Sequence, residues 1–371
     1  MTRKLLLLIC FFNALNISAE IYSGSCGENV KYSLDTETGV RSITGTGAMT
    51  NYSTYKNTPW YEQRLDITSI DITEGVTAIG KINFQYCSNL TSVTIPNSVT
   101  SIGEYSFEYC SGLTSIEIPN SVTTIGKYAF YGCDGLNSVL LSNNLNVIDD
   151  YTFCGCKLLT SVDIPNGVTT IKDRAFSGCL GLTNVTIPSS VKSIGNYSFF
   201  GCLSLSSVTI PNSVTSIGTM GFFGSGISKV ILHSNAITSK SYTTNSTLKD
   251  IFGQPAKEYV LGEEITSIGS YAFQNCTEVT GLYCYAENVP NADATAFNNL
   301  DLSNDTLYVH ASSLEAYQAT SPWNQFGTIM ALEDLEPATV RGDVNGDGKV
   351  DMDDVKYLVQ KILNGKFPDE E

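Results

Sequence analysis

Basic residues, histidines and long apolar runs are all scarce in this sequence. Lysine and arginine total 21 against 37 aspartates and glutamates, which gives a formal net charge of −16. A chain this acidic repels nucleic acid phosphates and anionic membrane surfaces, so neither is an expected partner. Beyond the amino terminus no stretch approaches the roughly 18 uninterrupted apolar residues of a membrane helix, which predicts no membrane insertion.

Recognisable catalytic motifs are missing as well. The two histidines, His233 and His310, lie in no HExxH pattern, and there is neither a GxSxG elbow nor a Walker loop. Acidic residues are common, but no pair is singled out for the acid and base roles of glycoside hydrolysis. We therefore expect a binding protein and not an enzyme.

Residues 1–19 have the pattern of a secretory signal peptide. Arg3 and Lys4 precede an apolar run from Leu5 to Ala14, and Ile17-Ser18-Ala19 offers a cleavage site. The run is too short for a membrane span. This pattern predicts a secreted or cell-surface protein.

Phenylalanine recurs at a fixed step of 23 residues, and cysteine keeps the same step three positions later. The members are Phe84, Phe107, Phe130, Phe153, Phe176, Phe199 and Phe222, followed by Cys87, Cys110, Cys133, Cys156, Cys179 and Cys202. A fixed period between 20 and 29 residues is typical of a leucine-rich solenoid, in which each coil buries its apolar side by stacking on its neighbours. We expect the phenylalanines to form a stack inside the solenoid.

Each repeat predicts two short strands and two corners. In the copy from Leu90 to Cys110, Val93 and Ile95 alternate on one side of a strand. Pro96 ends that strand because it has no N–H to give to a ladder. A second apolar segment, Val99 to Gly103, precedes the next phenylalanine. The fold class is therefore a β-rich solenoid with 23-residue coils.

The cysteine column is interpreted as a ladder of buried thiols. Side chains in register on parallel coils point the same way, which suits neither a disulfide nor a tetrahedral metal site. The sequence also has no CxxC pair. A thiol in this setting acts as a small apolar group with weak hydrogen-bonding ability. Whether Cys26 or Cys284 forms a disulfide stays open.

Large side chains, mostly tyrosine, lie two positions before the phenylalanines. The members of this column are Tyr105, Tyr128, Tyr151, Arg174, Tyr197 and Met220. A ladder of tyrosines can stack on sugars or anchor a protein partner. Alternatively, it covers a corner of each coil. The four tyrosines are our candidate partner-binding residues within the repeats.

The step fails between Gly224 and Gly262. Ser225 replaces the ladder cysteine, Ser234 to Lys249 is polar, and the pattern resumes at Phe273 and Cys276. Enlarged coils place extra chain on one face of a solenoid, often the binding face. An insertion tolerated at the surface would give the same pattern, so both interpretations stand.

The repeat resembles the BspA-like leucine-rich repeats of secreted and surface bacterial proteins over residues 76–300. Residues 20–75, with Trp60, resemble the amino-terminal cap of that family, and residues 301–336, with Trp323, resemble its closing segment. Caps of this kind keep the ends of the core from water. The resemblance implies an adhesive role, with a host or microbial surface protein or glycan as the partner.

Residues 337–371 carry a different pattern. The run from Asp343 to Asp354 places oxygen ligands at loop positions 1, 3, 5, 9 and 12, with glycine at position 6. This is the spacing of an EF-hand calcium loop, with aspartate in place of glutamate at position 12. The predicted ligands are the side chains of Asp343, Asn345, Asp347, Asp351 and Asp354 and the carbonyl of Lys349.

A helix is predicted directly after this loop, from Val355 to Leu363. Its apolar residues Val355, Leu358, Val359 and Ile362 recur with helical spacing and share one face. Asn364-Gly365 ends the pattern. The sequence thus predicts a small calcium loop–helix module after the solenoid.

No helix is predicted before the loop, so the module resembles one dockerin repeat. Dockerins attach secreted bacterial proteins to cohesin modules and normally carry two calcium loops, whereas one is found here. Met352 and Asp353 occupy the positions that commonly select the partner in that family. The resemblance implies calcium as the cofactor. It also implies an alternative function as a non-catalytic component of a polysaccharide-degrading assembly, held by a cohesin.

Overall fold

The computed structural model describes residues 20–334, together with Met352 and Lys356. The predicted signal peptide, all six predicted calcium ligands and Asp353 lie outside the described residues. Within the described part the chain divides into two compact units. The first unit contains residues 20–168 and 175–181, and the second contains residues 169–174 and 182–334.

The first unit consists of short strands joined by tight corners, with one 3₁₀ turn at Tyr55–Asn57. Its strands are β1 (Ile21–Ser25), β2 (Asn29–Asp35), β3 (Val40–Ala48), β4 (Ser69–Ile72), β5 (Val76–Ile79), β6 (Ser92–Thr94), β7 (Ser101–Ile102), β8 (Ser115–Glu117), β9 (Thr124–Ile125), β10 (Ser138–Leu140), β11 (Val147–Ile148) and β12 (Ser161–Asp163). The predicted pair of strands per repeat is confirmed.

One strand, β3, begins both parallel ladders of the first unit. It closes an antiparallel sheet with β1 and β2, and then pairs in parallel with β4 through one half and with β5 through the other. The ladders continue from β4 to β6 and from β5 through β7 to β9. Gly45 (φ +112°) lies between the two halves of β3, and an added Cβ there would lie 2.0 Å from the Asn29 carbonyl oxygen. Only glycine fits there.

The core of the first unit is a column of aromatic rings. Trp60 stacks on Phe84, and each following phenylalanine up to Phe176 stacks on the one before it. Ring centroids are 5.4–5.5 Å apart with interplanar angles of 20° or less. All six side chains are fully buried. The predicted stack is confirmed in this unit, and Trp60 ends it with its indole N–H donating to the Asn83 carbonyl oxygen.

Thiols of the cysteine column form hydrogen bonds to the preceding coil. The thiol of Cys110 donates to the Phe84 carbonyl oxygen at 3.1 Å, and Cys133 and Cys156 repeat this contact one coil later each. The same carbonyl of Phe84 also accepts the Cys87 backbone N–H. None of the cysteines in the described range forms a disulfide, Cys26 and Cys284 included. The column is therefore a buried ladder of hydrogen-bonded thiols, as predicted.

The second unit adds three short helices, α1 (Asn235–Thr238), α2 (Leu248–Phe252) and α3 (Leu314–Ala319), and 3₁₀ turns at Leu302–Asn304, Ala311–Ser313, Trp323–Gln325 and Leu332–Asp334. Its strands are β13 (Thr170–Ile171), β14 (Asn184–Thr186), β15 (Ser193–Ile194), β16 (Ser207–Ile210), β17 (Ser216–Ile217), β18 (Lys229–Leu232), β19 (Glu258–Leu261), β20 (Ser267–Ile268), β21 (Gly281–Cys284), β22 (Asn291–Ala292), β23 (Thr306–Val309) and β24 (Thr328–Ala331). Six of them form a parallel sheet in the order β16-β18-β19-β21-β23-β24. Together the described residues form about 11 coils.

The irregular coil from Gly224 to Gly262 contributes to the core of the second unit. Helix α2 brings the Phe252 ring onto Phe222 at 5.5 Å, so the aromatic column continues across the break in the 23-residue step. Tyr242 and Leu248 from the polar stretch are also buried. The longest exposed run in this coil is the four-residue turn at 243–246. The enlarged coil is therefore a built part of the fold and not a loose surface loop.

Arg41 is a buried cation that packs against the Trp60 ring in the first unit. The Arg41 side chain is fully buried, and none of its guanidinium nitrogens has a hydrogen-bond partner among the described residues. Its guanidinium carbon lies 4.9 Å from the Tyr32 ring centroid and 4.6 Å from that of Trp60. Burial lowers the pKa of Arg41 to about 10. Two aromatic faces thus replace the carboxylate that usually neutralises a buried arginine.

No helix in residues 20–334 combines the length and apolar character needed to cross a membrane.

The ring column predicts where the first unit is sensitive to truncation. Phe153→Ala removes a fully buried ring and is expected to lower the free energy of unfolding by about 3–5 kcal/mol, because the neighbouring rings cannot close the cavity. Leu158→Ala, in the same coil but 57% exposed, is the control and should change it by less than about 0.5 kcal/mol. Urea unfolding followed by circular dichroism measures both. Equal midpoints for the two variants would contradict a buried stack.

Candidate partner-binding surface

Three of the four predicted tyrosines lie together in the first unit. Tyr105, Tyr128 and Tyr151 form a ladder with ring centroids 4.7 and 4.4 Å apart and interplanar angles of 9° and 12°. Both faces of the Tyr128 ring are therefore covered by its neighbours. The ladder presents ring edges and hydroxyl groups to solvent, so a sugar ring cannot lie flat on its middle member.

The backbone of this ladder is held in an uncommon conformation. Tyr105, Tyr128 and Tyr151 have φ values of 57°, 59° and 57°, in the left-handed region that costs an L-residue roughly 1 kcal/mol or more. The N–H of Tyr105 donates to Lys127 O and that of Tyr128 to Asp150 O, each in the next coil. These bonds between coils, together with ring stacking, offset the backbone cost.

A second tyrosine column, which the repeat pattern did not predict, lies two positions after the core phenylalanines. Tyr86 and Tyr109 stack at 5.1 Å, and both also have positive φ, 63° and 56°. In the next coils the same position is glycine, at Gly132, Gly155 and Gly178. The sequence therefore did contain a sign of this column, because two repeats have tyrosine at a position where the later repeats have glycine.

Tyr131 joins the two columns into one surface. Its ring lies edge-on to Tyr109 at 5.3 Å and is 5.7 Å from Tyr128. We call the set Tyr86, Tyr105, Tyr109, Tyr128, Tyr131 and Tyr151 the tyrosine surface. It extends over four successive coils, and Tyr86 and Tyr109 are 36% and 39% exposed.

The phenols of Tyr109 and Tyr128 stay neutral over the physiological pH range. Burial is the largest cause that raises the pKa of Tyr128 to about 12, with its neighbours Tyr151 and Tyr105 adding to it. Burial likewise raises the pKa of Tyr109 to about 12, and its hydrogen bond with Tyr131 contributes. Neutral hydroxyls can both donate and accept hydrogen bonds, so the surface offers polar contacts without charge.

Paired charges and a groove lie beside the ladder. Lys81 contacts Glu104 and Lys127 contacts Asp150, both at 2.6 Å. Glu104, Lys127 and Asp150 each directly precede a tyrosine of the ladder. One position further back, the glycine column that includes Gly103 lines a groove of about 330 Å³, together with the side chains of Ser101, Thr124 and Asp149. A Cβ on Gly103 would lie 2.6 Å from the Lys81 backbone nitrogen. Glycine is therefore required for the close approach of coils that forms the groove floor.

The remaining predicted site residues lie elsewhere. Tyr197 belongs to the second unit, where the Arg174 guanidinium carbon lies 4.4 Å from its ring centroid. Met352 is helical and 66% exposed. The structure therefore brings together three of the four predicted tyrosines. Among residues 20–334, no group of three or more histidine, cysteine, aspartate and glutamate side chains is placed to hold a metal ion.

The repeat pattern matches a known family over most of the chain. The BspA type leucine rich repeat region matches in six copies, over residues 57–183, 169–257 and 253–321. The chain belongs to the BspA-type leucine-rich repeat family. No curated protein matches it.

Solved structures of other bacterial leucine-rich repeat proteins are similar to this BspA-type chain. A protein from Bacteroides ovatus is 22% identical, covers 82% of this chain and 98% of its own, and has a TM-score of 0.45. One from Eubacterium ventriosum is 22% identical, with coverage of 84% and 93% and a TM-score of 0.37. A leucine rich cell surface protein from Faecalibacterium prausnitzii is 20% identical, with coverage of 85% and 95% and a TM-score of 0.35.

The packing of Tyr109 over the next coil can be measured with two glycine substitutions. A Cβ on Gly132 would lie 2.6 Å from Tyr109 Cδ1, whereas one on Gly155 meets nothing closer than 3.6 Å, and both glycines have positive φ. Both alanine variants carry the backbone cost, and Gly132→Ala should cost about 1–3 kcal/mol more because of overpacking.

The matched cycle repeats both substitutions in a Tyr109→Ala background. There the difference between Gly132→Ala and Gly155→Ala should disappear, because the ring that clashes is gone. Urea unfolding measures all six proteins. A difference that persists without the Tyr109 ring would contradict the described packing.

Proposed function

We propose that this BspA-type protein is secreted or held at the cell surface, and that it binds a host or microbial surface protein or glycan through its solenoid. The tyrosine surface and the adjoining groove of the first unit are the proposed contact site. The observation that carries the proposal is the collection of six tyrosines on one outer face of four successive coils. Aromatic side chains with polar tips are enriched where proteins bind their partners.

The backbone conformation supports a role beyond covering a corner. Tyr86 and Tyr109 occupy a left-handed position that glycine fills in the following coils of the same unit. Those coils fold without an aromatic side chain at this position, so the fold does not require one. A strained residue that the fold does not require is a reason to propose function. Their edges and hydroxyls suit insertion between groups of a partner better than flat stacking on a sugar.

The predicted signal peptide and the family both support a location outside the cytoplasm. BspA-like repeats occur in secreted and surface proteins, and residues 1–19 have the charge and apolar pattern of an export signal. A solenoid also suits adhesion, because it exposes a long regular face to a partner.

A second candidate function rests on the calcium loop predicted from Asp343 to Asp354. Five side chains and the Lys349 carbonyl supply the hard oxygen ligands that calcium prefers, with Gly348 and Gly346 allowing the turn. Calcium bound there would neutralise a cluster of carboxylates. In this proposal Met352 and Asp353 contact a cohesin, and the chain is an accessory component of a polysaccharide-degrading assembly.

One binding experiment distinguishes the two candidates. The full mature chain is passed over immobilised glycoproteins, their deglycosylated forms and a purified cohesin module, with calcium or with a chelator. The test variant is Tyr86→Gly with Tyr109→Gly, which removes two exposed rings and also removes backbone strain, so the fold should be kept. Leu140→Ser with Leu158→Ser removes exposed apolar groups of the same unit and is the control.

For the solenoid proposal, the tyrosine variant should lose at least about tenfold in affinity for the glycoprotein or its deglycosylated form, which is about 1.4 kcal/mol. The control should bind like the wild type. For the tail proposal, cohesin binding should need calcium and disappear in Asp343→Ala and in a chain ending at Glu336. Unchanged glycoprotein affinity in the tyrosine variant would overturn the first proposal, and calcium-independent cohesin binding would overturn the second.

A further inference from the structure

An apolar row crosses the solvent side of the six-stranded sheet in the second unit. Strand register aligns one outward residue from each of five successive strands. The members are Ile231, Val260, Tyr283, Tyr308 and Met330. We call this set the apolar row. With strands about 4.8 Å apart, its four steps extend over roughly 19 Å.

The row is not a general property of this solenoid. The equivalent outward positions of the first unit include Thr94, Glu117 and Asp163, which are polar, and a single exposed leucine, Leu140, which lies between polar neighbours. In the row, Tyr283 and Tyr308 stack at 4.7 Å with an interplanar angle of 9°, and Met330 beside them is 37% exposed. A contiguous apolar strip on a sheet face is a surface on which another apolar element can pack.

The chain leaves the sheet at the end of this row. Met330 lies in the last strand, β24, and the 3₁₀ turn Leu332–Asp334 follows it directly. The eight residues 335–342 then lead to the predicted calcium loop. Fully extended, they reach at most roughly 26–29 Å, which exceeds the length of the row.

The sequence beyond the linker predicts a helix of matching character. Residues 355–363 place Val355, Leu358, Val359 and Ile362 on one face, and nine helical residues are about 13 Å long. That length fits the part of the row formed by Tyr283, Tyr308 and Met330. Residues 335–354 connect the last 3₁₀ turn to this helix. A tether of this length holds the helix near the row at an effective concentration of roughly millimolar, which favours it over a partner in solution.

We propose that the helix of residues 355–363 packs its apolar face on the apolar row, so that the carboxyl-terminal module docks on its own solenoid. Beside the row, Lys229 and Glu258 form an ion pair with each other. Their charges therefore need no partner from the docked helix. The proposal rests on the predicted helix after the calcium loop. It does not depend on the tyrosine surface or on a cohesin.

Hydrogen exchange of the full mature chain tests this docking. Peptides from residues 355–363 should be protected in the wild type, and Tyr283→Ser with Tyr308→Ser should raise their exchange rate at least about tenfold. Leu140→Ser, which replaces another outward residue of a strand, is the control and should change nothing. Equal exchange in the wild type and the double variant would overturn the proposal.

A second variant avoids any change to the solenoid. Ile362→Ser in the full chain should uncover the row, so Met330 should react with hydrogen peroxide several-fold faster while Met220 keeps its rate. An unchanged Met330 rate would overturn docking.

Light scattering must show the same mass for all variants. A wild-type dimer that Tyr283→Ser with Tyr308→Ser converts to a monomer would overturn the proposal, because a second copy would then cover the row.

Calcium titration of the same samples keeps this proposal separate from the predicted metal site. Normal calcium binding with no difference in exchange would overturn docking alone. The expected difference in exchange without calcium binding would overturn the calcium loop alone.

Discussion

Every coil of this protein must present the same buried shapes as the coil before it, and the rest of the structure depends on that constraint. Rings repeat at about one coil spacing in the column that begins at Trp60. The thiols of Cys110, Cys133, Cys156 and Cys179 donate to phenylalanine carbonyl oxygens of the preceding coil. Each of those carbonyls also accepts a backbone N–H of its own coil. Where Ser225 replaces the cysteine, its shorter side chain donates to Phe222 of its own coil. Thiol length is thus what lets the contact cross between coils.

The same constraint explains where variation occurs. Inner positions have little freedom, because a changed volume in one coil disturbs the packing of both neighbours. Outward positions have no such requirement, and they differ between the units: tyrosines in the first, an apolar row in the second. Surfaces for partners therefore arise on columns that the stack does not determine. The two surfaces use different chemistry, since one presents hydroxyls and ring edges and the other presents apolar side chains.

The repeat step was sufficient to predict the phenylalanine stack, the strands before Pro96 and the buried thiols, because each depends on residues in strict register. Phe252 was missed because helix α2 brings its ring into the column after 30 residues and not 23. Tyr86 and Tyr109 were missed because their backbone position is one that glycine usually fills. Covered ring faces in the tyrosine ladder could not be predicted, since side-chain stacking depends on coil spacing and rotamer together.

The central claim is that coils are joined through buried, hydrogen-bonded thiols, and pulsed alkylation of the native protein tests it most directly. Only a thiolate reacts, and burial raises the pKa of the Cys133 thiol well above its ordinary value. Mass spectrometry should find Cys110, Cys133 and Cys156 modified only at the rate of global unfolding, with the half-exposed Cys154 modified faster. Rapid modification of Cys133 in the folded protein would contradict the account.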